Sequence, residues 1–363
     1  MKILIVFNHP APYKVDLFNE LAKKIDMEVV FERQACRNRT ATFYADKKYK
    51  FTYRFLKRGT FGEENSNSNE LVKHLKKHHQ DYDLIVMNGY STITEMKAIR
   101  YLNKHKIKWC LFVNGGVVKK DYWLKFKVKQ FLISNANYYL SPSEKVDEYL
   151  LHYGAKKEDI YHYPNSTIYA SQIISKPLAE EEKKTIRKEY GLPETFLYIS
   201  PAQFINRKNN LALIKLFANR KEHLLLIGDG LEKQSYLTFI EENHLTNVTI
   251  HHFLDKKSLL RVMSSADAFI TLSKEDIYGH TVNEAMSQGL AIITSEKVIS
   301  SHKLVKNGVN GYIVPLSEEA LVFKAMDSLT PLMGEKSIEI ARENTIEKMS
   351  ASIIEALKEM RQK

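Results

Sequence analysis

Short apolar runs recur along the chain, and stretches of helical periodicity separate several of them. In the first half Lys2–Phe7, Met27–Phe31, Leu84–Met87, Lys108–Val113 and Tyr138–Leu140 have this character, with helical segments such as Lys14–Lys24 and Asn69–His79 between several of them. In the second half Phe196–Ser200, His223–Ile227, Val248–His251, Ala268–Leu272, Ala291–Thr294 and Gly311–Val314 alternate with helices in the same way. Strands joined through helices pair in parallel, and the crossover helices cover both faces of the sheet, so such strands are apolar throughout. The expected fold is α/β, with two doubly wound, Rossmann-like domains. The expected divisions are 1–170, 171–345 and a last helical segment, 346–363. Pro164 to Gly191 holds no strong strand, carries Pro177 and the charge run Glu180–Lys184, and reads as the interdomain connection.

At 363 residues the chain is long enough for about two domains. Hydrophobic residues make up 44% of it, and no apolar run approaches the roughly 18 residues of a membrane-spanning helix. The apolar start Met1–Phe7 is too short for a signal peptide and reads as a first buried strand. Cys36 and Cys110 have no CxxC or Cys/His ligand spacing around them. That argues for a reducing compartment without structural disulfides or zinc, and the expected location is cytoplasmic.

The formal charge of +11 lies wholly in the first half: residues 1–170 hold 29 Lys and Arg against 18 Asp and Glu, while the remainder holds 25 of each. No nucleic-acid module accompanies the excess, and no nucleic-acid partner is expected. Two stretches interleave basic and aromatic residues, Lys47–Phe55 and Tyr122–Leu132. Each fits contact with an anionic membrane surface, where basic groups meet headgroups and aromatics sit at the interface. Each equally fits an ordinary element, the first an alternating strand and the second a helix with a solvated face.

The segment Ser273–Gly289 concentrates candidate chemistry. Asp276 and Glu284 flank Gly279 at an expected helix start, where backbone N–H groups and the helix dipole can hold an anion. Carboxylates repel phosphate but accept hydrogen bonds from hydroxyls, so the combination suits a ligand that is part phosphate and part polyol, such as a nucleotide sugar. A competing explanation is local: Thr281 and Glu284 fit a Thr-x-x-Glu capping box, with Glu284 serving its own helix. An apolar strand before the loop and a buried strand after Gly289 favour the ligand reading, because open α/β sheets bind ligands beyond the carboxyl ends of their strands.

With an acidic residue, seven intervening residues, then Glu-Ala-Met and a nearby Gly, this segment resembles the retaining glycosyltransferases of family 4, from a polysaccharide- and glycoconjugate-assembly branch. Asp276 stands where Glu is commoner. The resemblance implies the GT-B fold, two doubly wound domains facing a cleft, with the last helix crossing back to the first domain. It also implies transfer of a hexose-type sugar, with retained configuration, from a nucleotide sugar to a lipid-linked or polysaccharide acceptor at the cytoplasmic membrane face. UDP-sugars are the favoured donors; no cofactor and no metal are expected. In Ala202–Asn210 the family carries an Arg and a Lys for the diphosphate; here Gln203 takes the Arg place, Lys208 the Lys place, and Arg207 is the candidate guanidinium. Asp276 would then bind sugar hydroxyls and Glu284 the ribose, while Gly228, Gly279, His280 and Thr281 complete the donor site. Gly228-Asp229-Gly230 and Asn307–Gly311 match family turns. The leaving phosphate would accept the acceptor's proton, so no protein nucleophile is assigned.

For the acceptor, His9, Tyr13 and Lys14 follow the first strand in a loop resembling the Pro-Tyr-Arg segment of that branch, and Asn114, Gly115 and Gly116 follow another. Many relatives have a His near Asn114, and this chain does not. Asp81-Tyr82-Asp83 has the Asp-x-Asp pattern of metal-dependent transferases of another fold but precedes a strand, so it reads as a solvated strand start. Phe204 and Phe217 read as core. A nucleotide-sugar epimerase or hydrolase of the same architecture, and a noncatalytic sugar-nucleotide-binding subunit, are the alternatives.

Overall fold

The computed structural model describes residues 1–35, 44, 48–56, 60–61 and 65–363; Cys36 and Lys47 lie outside them. It divides into two units, Met1–Asn165 with Ile346–Lys363, and Ser166–Thr345. The first contains β1 (Lys2–Phe7), α1 (Pro12–Leu21), β2 (Asp26–Phe31), β3 (Thr52–Phe55), the two-residue strands β4 (Thr60–Phe61) and β5 (Asn65–Ser66), α2 (Glu70–His78), β6 (Leu84–Met87), α3 (Ile93–Lys104), β7 (Trp109–Phe112), α4 (Trp123–Ser134), β8 (Tyr138–Ser141), α5 (Glu144–His152) and β9 (Ile160–His162). The second contains α6 (Glu180–Glu189), β10 (Leu197–Pro201), α7 (Asn210–Phe217), β11 (His223–Ile227), α8 (Lys233–Glu242), β12 (Val248–His251), α9 (Lys256–Ser265), β13 (Ala268–Thr271), α10 (His280–Ser287), β14 (Ala291–Ser295), α11 (Ser301–Leu304), β15 (Gly311–Val314), α12 (Glu319–Asp327) and α13 (Pro331–Ala341). The last helix, α14 (Ile346–Gln362), belongs to the first unit.

The first unit's sheet has the order β3-β2-β1-β6-β7-β8-β9 and the second's β12-β11-β10-β13-β14-β15, and every pairing in them is parallel. Each order reverses once, at β1/β6 and at β10/β13, and loops leaving the carboxyl ends of those strands diverge to leave room for a ligand. The apolar runs read from the sequence are these strands: β1, β6, β7, β8, β10, β11, β13 and β14 are buried nearly end to end. One core joins β1, β2 and α1 to α14 through Phe7, Phe18, Phe31, Ile353, Leu357 and Met360. In the second unit Phe204 and Phe217 are core residues, as expected.

Two sequence expectations need correction. The division placed at 170/171 falls at Asn165/Ser166, and the stretch from Pro164 to Gly191 is no free connection. Nearly all of it is part of the second unit, and its charge run is the exposed start of α6. That helix is anchored by Arg187, whose buried guanidinium donates to Asp267 Oδ2 at 2.7 Å and to the carbonyl of Ser265 at 2.8 Å. A helix polar on every face but one residue leaves little apolar periodicity to read.

Candidate functional site

The loops after β10 and β13 are stitched together. Lys274 N–H donates to the carbonyl of Arg207 at 2.8 Å, Arg207 Nη1 donates to the carbonyl of Glu275 at 3.3 Å, and Asn209 Nδ2 donates to the carbonyl of Leu272 at 3.0 Å. Asn209 can close the turn at Asn206–Lys208 because Asn tolerates the left-handed conformation it adopts, φ 58°. This brings Lys208 Nζ against Asp276 Oδ2 in an ion pair that is mostly buried on both sides. The adjacent turn at Gly228 packs on the same loop so closely that a Cβ there would lie 1.9 Å from the carbonyl oxygen of Ala202.

Gly279 opens α10 with φ +89°, and a Cβ there would sit 2.4 Å from Val298 Cγ1 and 3.5 Å from Asp276 Oδ2. The Asp276 carboxylate therefore lies at the helix start, with Lys208 beside it. Among the described residues no side chain caps this helix. Thr281 is its second residue and Glu284 its fifth, so the capping-box explanation fails: the N-cap is Gly279, and Glu284 is beyond reach of it. Glu284 Oε1 instead accepts from Thr167 Oγ1 at 2.8 Å. His280, half-buried, packs beside Tyr278 with ring centroids 5.0 Å apart and the planes tilted by 49°. Thr167 escaped the sequence reading because it lies 117 residues from Glu284, with no local pattern linking them.

In the first unit the acceptor candidates do not sit alike. Lys14, in the first turn of α1, is 1% exposed: its Nζ donates to Asn114 Oδ1 and lies 4.4 Å from the Phe112 ring centroid. Burial pushes its ammonium down to about 7. Asn114 Nδ2 donates to Asn88 Oδ1 at 3.1 Å, and Asn88 Nδ2 to the carbonyl of Phe112 at 3.0 Å, a chain of amides across the carboxyl ends of β6 and β7. His9 Nδ1 meets Tyr44 OH at 3.1 Å, and Tyr13 flanks the Lys14 ammonium at 5.7 Å. Gly115 and Gly116 continue the loop from Asn114, Gly116 lying against the Tyr149 ring. Unanticipated is the buried acid pair Glu32 and Glu95. Thr92 joins them, its hydroxyl donating to Glu32 Oε1 at 2.9 Å and its N–H to Glu95 Oε2 at 3.0 Å. Burial raises both carboxyls, and Glu32 adds to the rise at Glu95.

Asp81-Tyr82-Asp83 sits at the amino end of β6, where Asp83 Oδ2 accepts from Lys2 N–H at 2.7 Å and Asp81 pairs with His78 at 2.8 Å. The two basic–aromatic stretches separate clearly. In the first, Phe51 and Phe55 pack on Phe31, so this is a structural edge strand with its preceding loop. In the second, α4 and its approach present Tyr122 at 70% and Trp123 at 73% exposure, with Leu124, Val128 and Phe131 also exposed. Among the described residues no helix is long and apolar enough to cross a membrane.

Residues 182–357 match the family model described as Glycosyl transferases group 1. Over that stretch, just under half of the chain, the protein is similar to that family. Among curated relatives, the O-antigen biosynthesis glycosyltransferase WclY of Escherichia coli is 25% identical over 244 residues, which is 61% of this chain and 63% of the relative. A second WclY match spans 46% of its relative, so the chain covers about half to just under two thirds of these proteins. Two solved structures are similar over nearly the whole chain. Anabaena HepE in complex with UDP superposes with a TM-score of 0.79 at 16% identity, covering 99% of this chain and 100% of that one. Sucrose-phosphate synthase from Thermosynechococcus elongatus superposes with a TM-score of 0.76 at 16% identity, covering 99% of both chains. The fold is GT-B, as expected.

Proposed function

We propose that the protein is a retaining glycosyltransferase that moves a hexose-type sugar from a nucleotide sugar, a UDP-sugar by preference, to a lipid-linked or polysaccharide acceptor. The observation that carries the reading is the Lys208–Asp276 pair seated at the uncapped start of α10. A diphosphate arriving there takes over the Lys208 ammonium and releases the Asp276 carboxylate to accept sugar hydroxyls. Arg207, with its side chain in the same loop, and the first-turn N–H groups of His280 and Thr281 stabilise the charge that develops on the leaving phosphate. Glu284 binds the ribose, and Gly228 lets the neighbouring turn approach closely. The leaving phosphate takes the acceptor's proton, and no metal is required. The relative named for O-antigen biosynthesis and the neighbour solved with UDP support the glycan and nucleotide assignments.

On the acceptor side, the loop after β1 supplies His9, the first turn of α1 supplies Tyr13 and Lys14, and the loop after β7 supplies Asn114, Gly115 and Gly116. The enzyme works at the cytoplasmic membrane face, drawn there by the basic first unit, with the exposed aromatic face of α4 as its contact with anionic lipid. A thermal-shift panel of UDP-, GDP-, ADP- and CMP-sugars tests the donor, since a bound ligand raises the melting temperature. Incubation with the preferred donor alone, and Lys208→Ala and Asp276→Asn in a glycan complementation assay, test the reaction. Slow turnover without acceptor and loss of glycan in both variants are expected. Rapid conversion of donor alone would mean an epimerase or hydrolase; unchanged glycan output would mean a noncatalytic subunit.

A further inference from the structure

The chain passes between its two units at only two places, Asn165/Ser166 and Thr345/Ile346. Both segments, on the second unit's side, are fastened to one turn of α10. Asn283, fully buried, donates from Nδ2 to Ser166 Oγ and to the carbonyl of Asn344, each at 2.9 Å. The next residue, Glu284, accepts from Thr167 Oγ1 at 2.8 Å. Ser166 Oγ also accepts from Ile168 N–H at 3.0 Å, and Lys256 Nζ from α9 donates to the carbonyl of Thr167. The first crossing is thus held by consecutive side chains of α10, and the second by the amide that holds the first.

Packing alone does not ask for this arrangement. Asn283 Oδ1 is buried with no hydrogen-bond partner, and an apolar residue there would avoid that cost. What the arrangement does provide is a hydrogen bond from the candidate ribose-binding carboxylate to the Thr167 hydroxyl at the first crossing, with the neighbouring Asn283 tying Ser166 Oγ to the Asn344 carbonyl at the second. We propose that Thr167 and Asn283 are positioning residues that couple donor binding at Glu284 to the crossing segments 166–168 and 344–345. The proposal rests on the reading of Glu284 as the ribose ligand.

The physical content is linkage. Thr167 holds one oxygen of the Glu284 carboxylate, fixing the side-chain rotamer in which the remaining lone pairs meet the ribose hydroxyls. A ribose bound there fixes the same carboxylate and, through it, Thr167. Whatever factor the hydrogen bond contributes to ribose affinity, ribose returns to the order of segment 166–168. Asn283, one residue earlier on the same turn, carries that order to Asn344. No bond is made or broken covalently, and the coupling passes through hydrogen bonds alone.

Backbone hydrogen exchange of the full chain with and without UDP, GDP and ADP tests this. With the nucleotide that binds, exchange at 166–168 and 344–346 in the native protein is expected to slow by a factor of about five or more, the lower end of typical coupling between sites. Thr167→Val should retain protection in the loops after β10 and β13 but lose it at both crossings, with the donor KM raised several-fold and kcat lowered as well. Thr167→Ser, which keeps the hydroxyl, should restore both. A merely structural threonine would speed exchange at the crossings equally with and without nucleotide. Nucleotide binding without added protection at the crossings, or protection that survives in Thr167→Val, would overturn the coupling alone. Failure of all three nucleotides to bind would overturn the donor reading and the coupling together. Asn283→Ala serves as a second variant, read only if its melting curve stays cooperative, and its expected result is loss of protection at 344–346.

Discussion

Replacing Lys14 by Met should flatten one part of the pH dependence of stability. In the folded protein burial brings the Lys14 ammonium from 10.5 to about 7. The unfolded chain therefore holds a proton between those values that the folded chain has lost, and stability rises with pH across that window. The penalty is full below pH 7 and gone above 10.5. At about 1.4 kcal/mol per pH unit, its ceiling over that shift is about 5 kcal/mol. Two groups act in the opposite sense: the Asn114 Oδ1 acceptor, and the Phe112 ring 4.4 Å away, whose attraction for the ammonium is worth about 1–2 kcal/mol. The position of Lys14 in the first turn of α1 works with burial, because the helix dipole disfavours a cation there. The expected total is about 3–5 kcal/mol. Met has a similar length and no charge, and though it leaves Asn114 Oδ1 short of a donor, that loss does not vary with pH. Both tryptophans, Trp109 and Trp123, lie in the first unit, so urea unfolding followed by their fluorescence reports the unit that holds Lys14. The stability difference between native protein and variant should change by about 1.4 kcal/mol per unit between pH 7 and 10, in favour of the native protein as pH rises. A difference that stays constant from pH 6 to 10 would refute the buried, depressed lysine.

Gly279→Ala must adopt a left-handed conformation, at about 1–2 kcal/mol, and drive a methyl against Val298, at about 1–3 kcal/mol. A lower melting temperature with weaker UDP binding is expected, and an unchanged melting temperature would show that the helix start is not held as described. For α4, the double change Trp123→Ser and Phe131→Ser removes two exposed rings without touching the core. Cosedimentation with phosphatidylglycerol vesicles should fall by about tenfold or more, while binding to neutral phosphatidylcholine should be weak throughout. Equal sedimentation of variant and native protein would refute α4 as the contact.

What the sequence discloses here tracks how locally each feature is determined. The strands buried on both faces announce themselves as continuous apolar runs, so β1, β6, β11 and β14 are readable. The edge strand β9 is not, since Ile160–His162 is half-polar and is a strand only because Ser141 and its neighbours pair with it. The candidate donor motif is local in the same sense: Asp276, Gly279 and Glu284 share one loop and one helix. Even there the Thr-x-x-Glu pattern allowed two outcomes, and the choice was made by Gly279, which takes the N-cap place two residues ahead of Thr281.

Charge is where sequence reasoning stopped soonest, because a charged side chain reads as exposed until its partners are known. Lys14 stands in a loop-to-helix segment that reads from the sequence as an open acceptor loop. Instead it lies beneath Phe7, Phe112 and Asn114, groups supplied by β1, β7 and the loop after it. Glu32 and Glu95 are similar, acids 63 positions apart that the sheet order places together. In α4 the failure runs the other way, since its aromatics have the spacing of a core face and are nevertheless outside. Trp123, Leu124, Lys127, Val128 and Phe131 fall on one side of the helix at positions i, i+1, i+4, i+5 and i+8, while Leu132 and Ile133 face inward. Periodicity identifies a stripe; only the neighbouring elements decide whether that stripe is covered. A chain that leaves two aromatics and three aliphatic or aromatic neighbours uncovered, in the half that carries all its excess positive charge, is suited to a surface that is both anionic and apolar. Lipid is therefore a better partner for α4 than a second copy of the chain, which would bring the same excess of positive charge to a two-fold interface.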